Sequence, residues 1–160
     1  MVVSYAEPND VVVAPDGSIF VGESHSGQFL DETGPTAVGR ISKFSADGTF
    51  IKSWGQWGFE DGEFRSPHSL DFDSQGRLFV ADRGNSRIQI FDQHGAFITM
   101  LTGDATLSRW AETKLDANPD MRLQREIAQG LERERLFRGP IGIEVDDENR
   151  IFVVDSQRNR

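Results

Sequence analysis

The sequence holds three histidines, His25, His68 and His94, and no cysteine. Imidazole ligates metals as a neutral base and exchanges a proton near neutral pH, so metal or acid–base chemistry would start at these positions. The lack of cysteine removes disulfides, thiolate metal sites and cysteine nucleophiles, and leaves the redox compartment open. His68 stands beside Pro67 at the head of "SPHSLDFDSQGRLFVADRGNSRIQIF" (residues 66–91). A zinc site needs three or four ligands. Taken alone, then, His68 is equally a polar side chain at a strand start, bonded to backbone or water. His25 lies in the loop "VGESHSG", and His94 lies in a strand turn.

The carboxylates offer less. Asp71, Asp73, Asp146 and Asp147 lack the ligand spacing and the glycine of a calcium loop, and are expected at strand ends and turns. Asp82, Asn85 and Arg87 resemble a polar active site, but their spacing suits a turn in which Asp and Asn bond their own backbone. Trp54 and Trp57 are expected to pack at a core edge. No Ser-His-Asp spacing, phosphate loop or dinucleotide fingerprint occurs.

The elements that position these residues follow from an internal repeat. "EPNDVVVAPDGSIFVGE" (7–23), "SPHSLDFDSQGRLFVAD" (66–82) and "GPIGIEVDDENRIFVVD" (139–155) overlay without gaps. Pro8, Pro67 and Pro140 coincide, each with an aromatic three residues earlier (Tyr5, Phe64, Phe137). Val11, Leu70 and Ile143 coincide next, followed by Ile19-Phe20-Val21, Leu78-Phe79-Val80 and Ile151-Phe152-Val153. A second overlay sets "GRISKFSADGTFIKSWG" (39–55) on "SRIQIFDQHGAFITMLT" (86–102).

Alternating apolar residues divide each unit into four short strands. Turn signals separate them at Asp16-Gly17, Gln75-Gly76, Gly84-Asn85 and His94-Gly95. Short connections make each unit an antiparallel meander. A lone four-stranded sheet cannot cover its own faces, so such sheets must stack on one another. Four-stranded units at a period of about 45 residues predict an all-β fold, a β-propeller segment of about two and a half blades.

Two insertions interrupt the period. Residues 24–36 lengthen one loop. Residues 104–136 have helical periodicity, with Leu107, Trp110, Ala111 and Leu115 on one face and Leu123, Ile127 and Leu131 on another. Asp104 and Asn118 are candidate N-caps, and Pro119 suits a first helical position. The expectation is a helical hairpin lying over a propeller face or edge. The blades divide as 5–63, 64–136 (with the insertion 104–136) and an incomplete 137–160. Because closed propellers have at least four blades, the chain is expected to belong to a longer polypeptide or to associate with itself.

The formal charge of −9 argues against a nucleic-acid grip, which needs clustered Lys and Arg. A hydrophobic content of 37% with 16 glycines suits a globular domain better than a disordered one. No apolar run approaches membrane-spanning length, and "MVVSYAEPND" lacks the basic start of a signal peptide, so the compartment stays open.

The stretch "PHSLDFDSQGRLFVADRGNSRIQIFDQHGAF" from Pro67 resembles the full signature of the NHL repeat, and "WGQWGFEDGEFRSP" (54–67) resembles its bridge between blades. That resemblance implies a propeller of about six blades, a fold that hosts binding platforms, sensors and enzymes. The blade around Pro67-His68 also resembles the peptidyl-α-hydroxyglycine α-amidating lyases. In that family, histidines of Pro-His motifs from several blades hold a central zinc, which polarises a substrate hydroxyl. The resemblance implies His68 as a zinc ligand, with Asn9 and Ile141 at the equivalent positions of the other units. Further histidine ligands and a catalytic arginine would lie outside these residues. His25 stands roughly where the lyases carry a catalytic tyrosine, which would make it the base.

The function expected first is a non-catalytic recognition module that binds a protein or small molecule on a propeller face. The rival is a zinc-dependent lyase of the amidating kind. RNA binding is disfavoured by the charge.

Overall fold

A computed structural model of the chain describes residues 7–24, 37–103, 109–127 and 136–157. Two antiparallel meanders and a two-stranded sheet are present among them. The first holds β1 (Pro8–Val13), β2 (Ile19–Glu23), β3 (Arg40–Phe44) and β4 (Phe50–Trp54). The second holds β5 (Pro67–Phe72), β6 (Leu78–Asp82), β7 (Arg87–Phe91) and β8 (Phe97–Leu101). The third pairs β9 (Pro140–Val145) with β10 (Ile151–Asp155). Strand order follows chain order in both four-stranded sheets, as the short turns require. The β1–β2 turn carries Gly17 at φ 84°, and its counterparts are Gly76 at 74° and Asn149 at 59°. Glycine and asparagine tolerate this left-handed geometry best, which is why the repeat varies only between them here.

The sheets stack through strand alternation. Leu78 and Val80 of β6 turn toward the first sheet, joining Phe20, Ile41, Leu70, Phe72, Phe64 and Phe91 in one core. Phe79 and Ala81 of the same strand turn the opposite way, meeting Ile88, Ile90 and Ile143 in a second core. The central sheet is therefore sandwiched, and every residue of β6 is buried. Trp54 spans the first junction, with its ring edge-on to Phe20 at 6.0 Å and tilted against Phe91 at 6.3 Å. It also lies over Gly95, where a β-carbon would collide with the indole.

The insertion forms α1 (Arg109–Asp116) and α2 (Pro119–Ile127). Asn118 caps α2, its Oδ1 accepting the Met121 N–H at 3.2 Å. Asp104, Leu107 and Leu131 lie outside the described residues. In the described part the two helices pack on each other. Two helices of eight and nine residues enclose Leu115 but leave Trp110, Leu123 and Ile127 exposed.

Phe64 is fully buried and packs on Phe91 with ring centroids 5.6 Å apart. Phe64→Ala is expected to cost about 3–5 kcal/mol, the range for emptying a buried aromatic site. Urea unfolding of the two proteins measures it.

Candidate functional site

In all three sheets the residue after the leading proline falls out of register. Pro67 pairs with Asp82 and Ser69 with Ala81, leaving His68 in a β-bulge. Asn9 is skipped in the same way between Pro8 and Asp10, and Ile141 between Pro140 and Gly142. A bulge re-aims its extra side chain away from the pleat. His68 is half-buried there, and its Nδ1 lies 2.8 Å from the Ile141 carbonyl oxygen in the next sheet. A carbonyl only accepts, so in this contact Nδ1 carries a proton and donates it. Asn9 makes the equivalent reach one sheet earlier, its Nδ2 donating to the Pro67 carbonyl at 3.2 Å. His68 is thus a tie between blades at a position that recurs with a different side chain in each. His25 lies outside the described residues. His94 sits in the β7–β8 turn, its N–H donating to Asp92 at 2.8 Å.

Neighbouring residues tie the leading strands together in the same manner. Asp10 Oδ2 accepts the Leu70 N–H at 2.8 Å, and Ser69 Oγ accepts the Ile143 N–H at 3.3 Å, the same contact one blade on. Asp71 Oδ2 accepts the Val145 N–H at 2.5 Å. Asp73 and Asp146 close their own turns, each accepting backbone N–H groups and pairing with Arg77 or Arg150 four residues on. The Asp146 carboxyl is held below its ordinary value, first by the Arg150 backbone N–H.

The Asp82 cluster is structural, but by a different route from the one its spacing suggests. Its Oδ1 accepts the backbone N–H groups of Arg65 and Ser66, 3.0 and 3.2 Å away, in the segment that crosses between blades. Its Oδ2 accepts from Asn85 Nδ2 at 2.8 Å and Arg87 Nε at 3.1 Å. Arg87 in turn donates to the carbonyls of Phe59, Glu60 and Glu63. Gln89 brackets the same segment, donating to Glu63 and accepting the Gly62 N–H. Burial pushes the Asp82 carboxyl up from its ordinary value, against the pull of Asn85, the Ser66 N–H, the Arg87 charge and the Arg65 N–H. Glu23 and Asp155 occupy the matching positions, and both are buried. Asp155 accepts the N–H groups of Arg138 and Gly139, while Glu23 accepts from Arg40 Nη2 and Ser42 Oγ.

Sequence reasoning did not single out Gln89. Its signal lies in "RIQIF", where Arg87 and Gln89 alternate with Ile88 and Ile90 in a strand that is buried throughout. Polar residues at period two in such a strand must have buried partners. Among the described residues, no group of three histidine, aspartate or glutamate side chains converges to hold a metal.

Asp82→Ala is expected to cost about 3–5 kcal/mol, since it leaves Arg87 charged and buried without its carboxylate. Asp82→Asn keeps one acceptor oxygen and is expected to cost less. Denaturant unfolding ranks the two, and Trp57 fluorescence reports whether the crossing segment loosens. An alanine cost below about 1 kcal/mol would contradict the fastening role.

With this geometry in hand, comparison with known proteins is specific. Residues 64–91 match the NHL repeat model. Peptidyl-glycine alpha-amidating monooxygenase B of Xenopus laevis is 38% identical over 104 residues, which is 61% of this chain and 11% of that protein. NHL repeat-containing protein 3 of Homo sapiens is 34% identical over 89 residues, 56% of this chain and 23% of that protein. The chain thus spans less than a quarter of the length of either relative. In fold alone it is similar to a chain of the Kuenenia stuttgartiensis hydrazine synthase structure, with TM-score 0.53 and 10% identity over 99% of this chain and 35% of that one. Residues 64–91 are an NHL repeat, and the stacked antiparallel meanders have β-propeller architecture.

Proposed function

We propose that this chain is a recognition module that binds a protein or small molecule at the end of the blades where the bulges lie. One observation carries this reading. The backbone at the bulge repeats in all three sheets, while its side chain changes from Asn9 to His68 to Ile141. Around it, the positions that hold the fold repeat in chemistry as well as in place: Glu23, Asp82 and Asp155 all carry carboxylates. A constant frame that presents an amide, an imidazole and an aliphatic chain side by side is suited to selecting a ligand by complementarity. Binding platforms are among the uses of this fold.

A second reading is favoured by the His68 ring and by the likeness to the amidating monooxygenases. A zinc-ligating histidine characteristically donates its other ring nitrogen to a carbonyl or carboxylate, as His68 Nδ1 does to Ile141. The described residues supply that one nitrogen and no converging partners. They do not fit a complete zinc centre. His25 as a base belongs to this reading.

A displayed peptide library selected on the immobilised chain separates the readings, with zinc content measured on the same protein. The recognition module predicts peptides whose binding is lost in an Asn9→Ala/His68→Ala variant that circular dichroism shows to be folded, and zinc far below one per chain. Peptides indifferent to both substitutions overturn the first reading. Stoichiometric zinc lost on His68→Ala establishes the second.

A further inference from the structure

Arg65 is a buried cation without a counter-charge. It is 8% exposed, close to the 6% of Arg87, yet the two are held differently. Arg87 pairs with Asp82 and donates to three carbonyls. The Arg65 guanidinium makes one hydrogen bond, from Nη1 to the Gly84 carbonyl at 3.2 Å. Among the described residues no carboxylate reaches it. Nε is buried with no partner, and Nη2 has none either but is not sealed from solvent. The acid closest in sequence, Glu63, does not serve, because its carboxylate accepts from Gln56 Nε2 and from the Phe59 and Glu60 N–H groups. The guanidinium packs over two aromatic rings, 5.8 Å from the centre of Trp57 and 5.3 Å from that of Phe59. Those rings meet edge to face at 5.4 Å, and Phe59 is 57% exposed. The cluster sits in the crossing between the two four-stranded sheets, whose junction is closed.

Stacking on aromatic faces offsets part of the cost of burying a guanidinium, but a buried charge is ordinarily matched by an anion. The two donors left over, Nε and Nη2, form one edge of the guanidinium, the fork that fits both oxygens of a carboxylate. We propose that this edge binds a carboxylate of a ligand, whose adjoining apolar group lies on Phe59. Nη2 meets the first oxygen as it stands, and a shift of the exposed Phe59 ring admits the second to Nε. The backbone at the site is fixed, because the Arg65 N–H is bonded to Asp82 at 3.0 Å. Asp82 pairs in turn with Pro67, beside the His68 bulge, so the site lies at the end of the blades assigned above to recognition. It rests on that reading for its purpose and names a group the ligand carries. A single carboxylate also suits a chain of net charge −9 better than a polyanion does.

Titrations followed at the Arg65 Nε–H and Trp57 indole N–H resonances test this with four probes. N-acetylphenylalanine presents a chain-end carboxylate, and the α-amide of N-acetylaspartate presents a side-chain one. N-acetylphenylalanine amide is the neutral control, and inorganic phosphate is the control for an adventitious ion only. The expected result is a saturable shift with at least one carboxylate probe, the tighter of the two naming the source. The neutral amide gives none, and phosphate binds more weakly. Binding is lost in Arg65→Met, which keeps an unbranched apolar stem on the rings, and is weakened in Arg65→Lys, which keeps the charge without the fork. Circular dichroism checks both variants, and the lysine variant decides if the methionine one does not fold. No saturable shift with either carboxylate overturns the site, as do equal shifts from the amide or from phosphate, or binding unchanged in the Arg65 variants. The Asn9→Ala/His68→Ala variant is expected to keep probe binding, which separates the two readings. Probes that bind while selected peptides ignore Asn9 and His68 leave the carboxylate site standing without the bulge surface. Peptides that need those two residues while no probe binds leave the reverse.

Discussion

A buried carboxylate fastens the segment that carries the chain from one blade to the next, and the stacking of the sheets depends on it. Residues 55–66 cross between sheets with little ladder pairing of their own, so their backbone groups need partners elsewhere. Asp82 takes two of their N–H groups, Arg87 three of their carbonyls, and Gln89 one of each. All three side chains project from the central sheet, which fixes Phe64 and Trp57 in place as well. Burying an ion pair contributes little net stability by itself. Its effect here is to specify one path for the chain, since any other path leaves buried charges and amides without partners.

The same constraint accounts for the one place where the repeat departs from aspartate. In the first sheet Glu23 replaces the aspartate, and Ser42 stands where the second sheet has Gln89. A longer acid reaches a shorter neighbour: Glu23 meets the Ser42 hydroxyl at 2.5 Å, whereas Asp82 and Gln89 meet at 3.4 Å. The departure preserves the network rather than signalling a change of function. The bulge position is restrained more loosely. Its backbone is held by Pro8, Pro67 or Pro140 pairing with the buried carboxylate residue, and the backbone carbonyl it reaches in the next sheet accepts from the Asn9 amide as from the His68 imidazole.

Strands, turns and sheet order were legible in the sequence because they follow from local period and turn chemistry. "RLFVAD" and "RIQIF" carry their alternation within five or six residues, and Gly17, Gly76 and Asn149 mark left-handed turns. The roles of Asp82 and Gln89 were not legible, because their partners lie some 16 to 27 residues away and are backbone groups, which leave no mark on residue type. The aspartate spacing suggested a local turn for the same reason. The bulge at His68 was likewise hidden, since skipping one residue changes register and not composition. The apolar faces of the helical insertion were visible as periodicity. Periodicity does not say what such a face meets, and Trp110, Leu123 and Ile127 meet solvent among the described residues.

Native-state hydrogen exchange at the crossing segment tests the central claim most directly. The amide protons of Arg65 and Ser66, bonded to Asp82, and of Gly62, bonded to Gln89, are predicted to exchange as slowly as those of the β6–β7 ladder, opening only with the sheet itself. Exchange as fast as that of the surface turn amide of Gly48, which is held only by the Ser45 carbonyl of its own turn, would show that the crossing moves independently of the sheets. The carboxylate network would then not be what holds the blades together.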